Sequence, residues 1–286
     1  MDARLAPLFV RDPDAGRWIP AVDSEPRTTS SIEPPDLSPM MTDAPLVLQA
    51  EGVHVRYRVR PRRQIERAMI ARGQPAERRV REVHAVRGIS LSVHEGDCLG
   101  IIGENGAGKS SLVRALAGFE PLSAGRVLAT ARPRMLGLGS ATKPAWTGWE
   151  TIDLGLTALR VPKNRRRHFS QEIADFTELG DHLRMPVATY SRGMQARLQF
   201  AINTAVPAAI LCIDESLGGA DGHFRARAEQ RIEGLLSSSG GIILVSHSMD
   251  LIGRMSSEVA WIKAGRLHRR GSPEEVIAAF KANLGV

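Results

Sequence analysis

From Leu46 onward, apolar and polar positions fall into a regular order. Leu46-Val47-Leu48 and Val53-His54-Val55-Arg56-Tyr57 alternate, as does Ile89 to Val93, and this period of two marks half-buried antiparallel strands. Cys98-Leu99-Gly100-Ile101-Ile102, Ile210 to Ile213 and Ile242 to Val245 are instead short continuous apolar runs, the pattern of parallel strands covered on both faces. Helical periodicity predicts a helix over Lys109–Ala117, further helices over 163–180, 191–205 and 223–237, and a last amphipathic helix over Pro273–Phe280. Strand and helix alternate, so an α/β fold is expected, with a largely parallel core sheet and an antiparallel N-terminal part. No internal repeat is present. Residues 1–45 differ from the rest: eight prolines stand among Ser, Thr and Asp with no sustained apolar period, so a disordered tail is expected there, followed by one domain over 46–286.

Composition leaves the class open to an ordinary globular protein. The 286 residues are 43% hydrophobic and 24% charged, which excludes collagen-like, wholly disordered and disulfide-framework chains. Cys98 and Cys212 are expected as small buried apolar residues in core strands, with no zinc-site spacing around them. Trp146, Trp149 and Trp261 are read as packing or interface residues. The longest apolar stretch, Ala205 to Ile213, is broken by Pro207 and falls short of a bilayer span, and the N-terminus offers no basic segment followed by an apolar one. A cytosolic chain is expected.

The net charge of +7 raises the question of an anionic partner. It is not spread evenly. Residues 56–81 hold ten arginines against Glu66 and Glu77, a net of +8, so the remaining 260 residues sum to −1. A near-neutral domain thus carries one basic insertion, which argues against a broad nucleic-acid-binding surface. Within it Ile65, Ala68 and Met69 recur at helical spacing among Arg62, Arg63 and Arg67, a short basic amphipathic stretch suited to anionic headgroups or a phosphate-bearing polymer end.

The sharpest chemical signal is Gly103-Glu104-Asn105-Gly106-Ala107-Gly108-Lys109-Ser110, between an apolar strand and a helix. It fits G-x-x-x-x-G-K-[ST]: glycines turn backbone N–H groups inward on phosphates, the helix N-terminus adds its positive end, Lys109 reaches the β- and γ-phosphates and Ser110 can ligate Mg²⁺. Ile210 to Ile213 then runs into Asp214 and Glu215, with Asp214 placed to support the metal and Glu215 to orient and deprotonate an attacking water. The next apolar run ends in Ser246-His247, whose imidazole is expected at the γ-phosphate.

Tyr190-Ser191-Arg192-Gly193-Met194-Gln195, about 20 residues before the acid pair, resembles the signature loop of ATP-binding cassette (ABC) ATPases. The resemblance covers roughly residues 46–280 with its motifs in order. It implies a P-loop NTPase fold of the ABC type with a helical subdomain over about 140–205. The implied cofactors are ATP and Mg²⁺. Tyr57 stands where an aromatic stacks on adenine, Asp221 lies in the loop coupling two subunits, and Gly103, Asn105, Gly106, Gly108, Lys109, Ser110 and Ser111 hold the phosphates and metal. The resemblance also implies a head-to-tail homodimer in which Ser191 and Gly193 of one copy complete the nucleotide site of the other. Two positions depart from the family pattern. Arg192 replaces a small residue, and 134–140 lacks the usual glutamine.

The Tyr-Ser-x-Gly-Met signature, the Thr147-Gly148-Trp149-Glu150-Thr151-Ile152 stretch, the missing glutamine and the basic insertion resemble the branch that exports O-antigen, teichoic acid and capsule-type polysaccharides. That resemblance implies an integral-membrane permease as partner, a lipid-linked glycan as cargo near the basic insertion, and a peripheral location on the cytoplasmic face of the inner membrane. The alternatives are an exporter ATPase for drugs or lipids and a soluble non-transport cassette ATPase.

Overall fold

The computed structural model describes residues 9–11, 18–20, 44–59, 81–136, 143–214, 222–236 and 240–285. Two sheets carry the fold. In the first, β3 (Leu46–Val59) and β4 (Arg81–His94) pair antiparallel from Leu46 opposite His94 to Val59 opposite Arg81. Alternation drives the pairing: Val53 and Val55 are buried, while Arg56 and Arg58 point outward, where Arg58 pairs with Glu82 at 3.3 Å. Strand order is β2-β1-β6-β3-β4, with β6 spanning Ala124–Ala129. The arginine-rich interruption expected over 56–81 therefore begins after Val59, because the period of two continues through its first arginines. Residues 60–80 lie outside the described residues.

The second sheet has the order β11-β10-β5-β9-β8-β7. Strands β5 (Asp97–Ile102), β9 (Gly241–Val245) and β8 (Ile210–Asp214) lie parallel in its centre, β7 (Arg134–Leu136) and β10 (Glu258–Lys263) join them in parallel, and β11 (Arg266–Gly271) closes one edge antiparallel. The central strands feed two cores. Leu99, Ile101, Ile210, Cys212, Ile243 and Val245 pack toward the first sheet and helix α1 (Lys109–Ala117). Cys98, Ile102, Leu211, Ile213, Ile242 and Leu244 face the opposite side, where α5 (Gly222–Leu236), α6 (Met249–Met255) and α7 (Pro273–Leu284) lie. A strand buried on both faces must be apolar at every position, which is why these runs did not alternate.

Between β7 and β8 stand three helices with a hydrophobic cluster of their own: α2 (Gly148–Ala158), α3 (Lys163–Thr177) and α4 (Arg192–Asn203). Helix α2 is absent from the periodicity reading, yet its start is written locally. Thr147 caps it, accepting from the Glu150 N–H, while Glu150 accepts from the Thr147 N–H at 2.7 Å, a complete capping box. Gly148 follows because a Cβ there would collide with the Tyr190 hydroxyl. Trp261 is buried between His268 and Phe280, whereas Trp149 is 36% exposed.

The expectation of a disordered tail over 1–45 does not hold for two segments. β1 (Phe9–Arg11) and β2 (Trp18–Pro20) form an antiparallel pair that adds to the free edge of β6. Trp18 is 7% exposed, and its indole N–H points at the Ala117 carbonyl, 3.5 Å away at the end of α1. Gly118 leaves room for the ring where any Cβ would collide with it, and Arg132 donates to the Trp18 carbonyl at 3.1 Å. Two strands of three residues have little stability of their own, so one aromatic anchor carries the docking. Trp18→Ala is expected to cost about 3–5 kcal/mol, read as a lower melting temperature and as faster proteolysis before residue 44. An unchanged cleavage rate would contradict the anchor.

Candidate functional site

The loop between β5 and α1 is built by close backbone approaches. Gly108 caps α1 at φ +101°, and a Cβ on it would strike the Ala85 carbonyl of β4; one on Gly103 would strike the Ile262 carbonyl of β10. The turn between β10 and β11 locks the loop: the Gly265 N–H donates to Ala107 at 2.9 Å, and the Arg87 N–H donates to Gly265 at 2.7 Å. The glycine spacing thus serves tertiary packing as well as phosphate access.

Lys109 opens α1 and is 7% exposed. Its ammonium donates to the carbonyls of Gly103 at 2.7 Å and Glu104 at 3.0 Å. Burial pushes its pKa down, and the nearby Asp214 carboxylate pushes it back up. A cation held by two neutral carbonyls in a partly desolvated loop is underpaired, so an anion entering the loop gains a ready partner.

One residue on, the Ser110 hydroxyl donates to Asp214 Oδ1 at 3.0 Å, joining the first turn of α1 to the tip of β8. The other carboxylate oxygen, Oδ2, lies 3.9 Å from Arg114 Nε, a neighbour that sequence reasoning missed although Ser110 and Arg114 share a helix face at i and i+4. The Tyr57 hydroxyl donates to Ser111 Oγ at 3.0 Å and so fixes the ring against the same helix.

These groups border a cleft of about 510 Å³ lined by Tyr57, His84, Asn105, Lys109, Ser110 and His247 among others. Gly106, Gly108 and Ser111 line it too. Ser191 and Gly193 do not. They sit at the start of α4, where Ser191 Oγ accepts from the Met194 N–H at 3.2 Å and caps the helix. Arg192, the first residue of α4, is exposed. Glu215, Asp221 and residues 137–140 of the segment where the glutamine is missing lie outside the described residues.

The donor set around Asp214 is oxygen-only, one hydroxyl and one carboxylate. No cluster of three or more His, Cys, Asp or Glu side chains forms a metal cage among the described residues. One hydroxyl and one carboxylate suit Mg²⁺, which takes one or two protein oxygens and fills its octahedron with phosphate oxygens and water. The two cysteines do not compete: both thiols are buried and pushed up to about 12 by desolvation.

Comparison with known proteins gives the family and the fold. The family model described as ABC transporter matches residues 86–218. The O-antigen export system ATP-binding protein RfbB of Myxococcus xanthus is 35% identical over 75% of this chain, which spans 49% of that protein. The teichoic acids export ATP-binding protein TagH of Staphylococcus epidermidis is 32% identical over 70% of this chain and 76% of its own. RfbE of Yersinia enterocolitica, an O-antigen export system ATP-binding protein, is 36% identical over 65% of this chain and 78% of its own. Among solved structures, the dimeric post-hydrolysis state of the ATP-binding cassette MJ0796, bound to ADP and Pi, superposes with a TM-score of 0.64 at 16% identity, covering 79% of this chain and 98% of that one. At that identity the likeness speaks for the fold.

Proposed function

From the premise that this chain belongs to the ABC transporter family and is an ATPase, we propose that it energises export of a lipid-linked polysaccharide or teichoic-acid-like polymer through a membrane permease. The observation that carries the nucleotide site is the Ser110–Asp214 hydrogen bond beside the buried Lys109 ammonium, since it brings the loop, the helix start and the acidic strand tip to one point. In this reading Lys109 leaves its loop carbonyls for the β- and γ-phosphates, while Ser110 and Asp214 hold Mg²⁺. The cation, when bound, neutralises charge on the phosphate oxygens. Glu215 orients and deprotonates the water, His247 contacts the γ-phosphate, and Tyr57 stacks on adenine. Catalysis is positioning plus electrostatics.

As in the head-to-tail pairing that the family resemblance implies, a second copy supplies Ser191 and Gly193, which lie outside the cleft lining, with Asp221 coupling the two sites. The N-terminus of α4 then presents backbone donors and the positive end of its dipole to the partner's γ-phosphate. No described helix is long and apolar enough to cross a membrane. The permease holds the chain at the cytoplasmic face.

The polymer assignment rests on the names of the relatives and on the basic window over 56–81. Deleting the gene is expected to remove the surface glycan while its lipid-linked precursor accumulates inside; an unchanged surface would overturn the assignment. Exchanging Arg62, Arg63 and Arg67 for glutamine tests the window: export is expected to fall with ATP hydrolysis retained, and unchanged export removes its role.

A further inference from the structure

Helix α4 is fixed to the core at one end by a group that no sequence motif marks. At its C-terminal end, Arg134 of β7 reaches across and donates through Nη1 to the carbonyls of Asn203 at 3.2 Å and Val206 at 2.7 Å, and through Nη2 to that of Pro207 at 3.4 Å. From the other side, Arg231 of α5 donates to the Thr204 carbonyl at 3.3 Å from both Nε and Nη2, and pairs with Glu172 of α3 at 2.6 Å. Two guanidinium forks thus close on four carbonyls, those of Asn203, Thr204, Val206 and Pro207, at and just beyond the end of the helix, near the negative end of its dipole.

Arg134 is an expensive choice for that task. It finds no carboxylate within ion-pair distance among the described residues, and burial alone pushes its pKa down. Setting a half-buried cation against neutral carbonyls stabilises a fold little; a half-buried fork of this kind fixes geometry instead. Its position says which geometry. Arg134 stands opposite Leu211 in the parallel pairing of β7 with β8, the strand that ends in Asp214, so the fork ties the end of α4 to the strand pair bearing the acidic tip.

We propose that Arg134, seconded by Arg231, is a positioning residue for Ser191 and Gly193: it sets the angle at which α4 presents them to the partner's nucleotide. This rests on the two-copy reading above. The lever is long. Twelve residues of α4 span about 18 Å, so a tilt of roughly 10° at the fork moves Ser191 by about 3 Å, whereas a hydrogen bond tolerates a few tenths of an ångström. Nucleotide binding within one chain uses Lys109, Ser110 and Tyr57, none of which touches the fork.

The test separates the two levels in a Glu215→Gln background, with ATP and Mg²⁺. Sedimentation velocity reads dimerisation, and a fluorescent ATP analogue titrated at protein concentrations too low for dimers reads binding to single chains. Arg134→Gln is expected to weaken ATP-driven dimerisation about tenfold or more while analogue binding stays within about twofold; Arg134→Lys, which keeps the charge without the fork, is expected in between. Dimerisation within twofold of the parent in both variants overturns the proposal, as does analogue binding lost in the same proportion as dimerisation. If the glutamine variant does not fold, the lysine variant decides on the same two readings. A Glu215→Gln parent that never dimerises in ATP overturns the two-copy reading itself, a result distinct from a parent that dimerises and variants that match it.

Discussion

Lys109→Ala is expected to reduce ATP hydrolysis by about 10²–10³-fold, roughly 3–4 kcal/mol at the transition state, because it removes a buried cation aimed into the loop. The fold itself should change little. The ammonium's two partners are the loop carbonyls of Gly103 and Glu104, which water can serve once the side chain is gone. The discriminating measurement is thermal melting with and without ATP: the variant should melt near the parent without nucleotide and lose the upward shift that ATP gives the parent. A variant that keeps both the shift and the turnover would remove Lys109 from the phosphate site.

Glu215→Gln acts at a different step. The substitution keeps size and hydrogen-bonding capacity and removes the base, so hydrolysis is expected to fall about 10²–10⁴-fold while ATP still binds. With the chemistry blocked, ATP-bound dimers are expected to accumulate where the parent would pass through that state only briefly. Sedimentation in ATP should show a stable dimer for the variant and mainly monomer for the parent. Normal turnover in the variant would sink the assignment of Glu215 as base. Together the two variants separate capture of the phosphates, which fails in the first, from their cleavage, which fails in the second.

The particular residues show how far local reading goes. The helix over about Lys109–Ala117 was legible because a glycine-rich turn, a lysine and a 3.6-residue apolar period coincide there. The buried strands β5, β8 and β9 were legible because a strand covered on both faces has to be apolar throughout. Helix α2 was missed although Thr147 and Glu150 spell its start, since a capping box is a signal only four residues long. Trp18 was missed for another reason. Nothing around it has a period, and its burial depends on a free edge of β6 and on the absence of a side chain at Gly118, 100 positions away.

By itself, then, the sequence determined the chemistry on offer: a loop with the glycine and lysine pattern of a phosphate cradle, an acid at a strand tip, a histidine after the next strand, and one basic window in a near-neutral domain. Those are properties of short contiguous segments, where propensity and motif are physically local. Tertiary structure decided which of these groups share a cleft. It set the Ser110 hydroxyl 3.0 Å from Asp214, 104 positions distant, and left Ser191 and Gly193 outside that cleft at the head of α4. It also closed Arg134 on carbonyls some 70 residues downstream. Such contacts are made when sheets and helices pack, and no pattern within either partner's own segment encodes them.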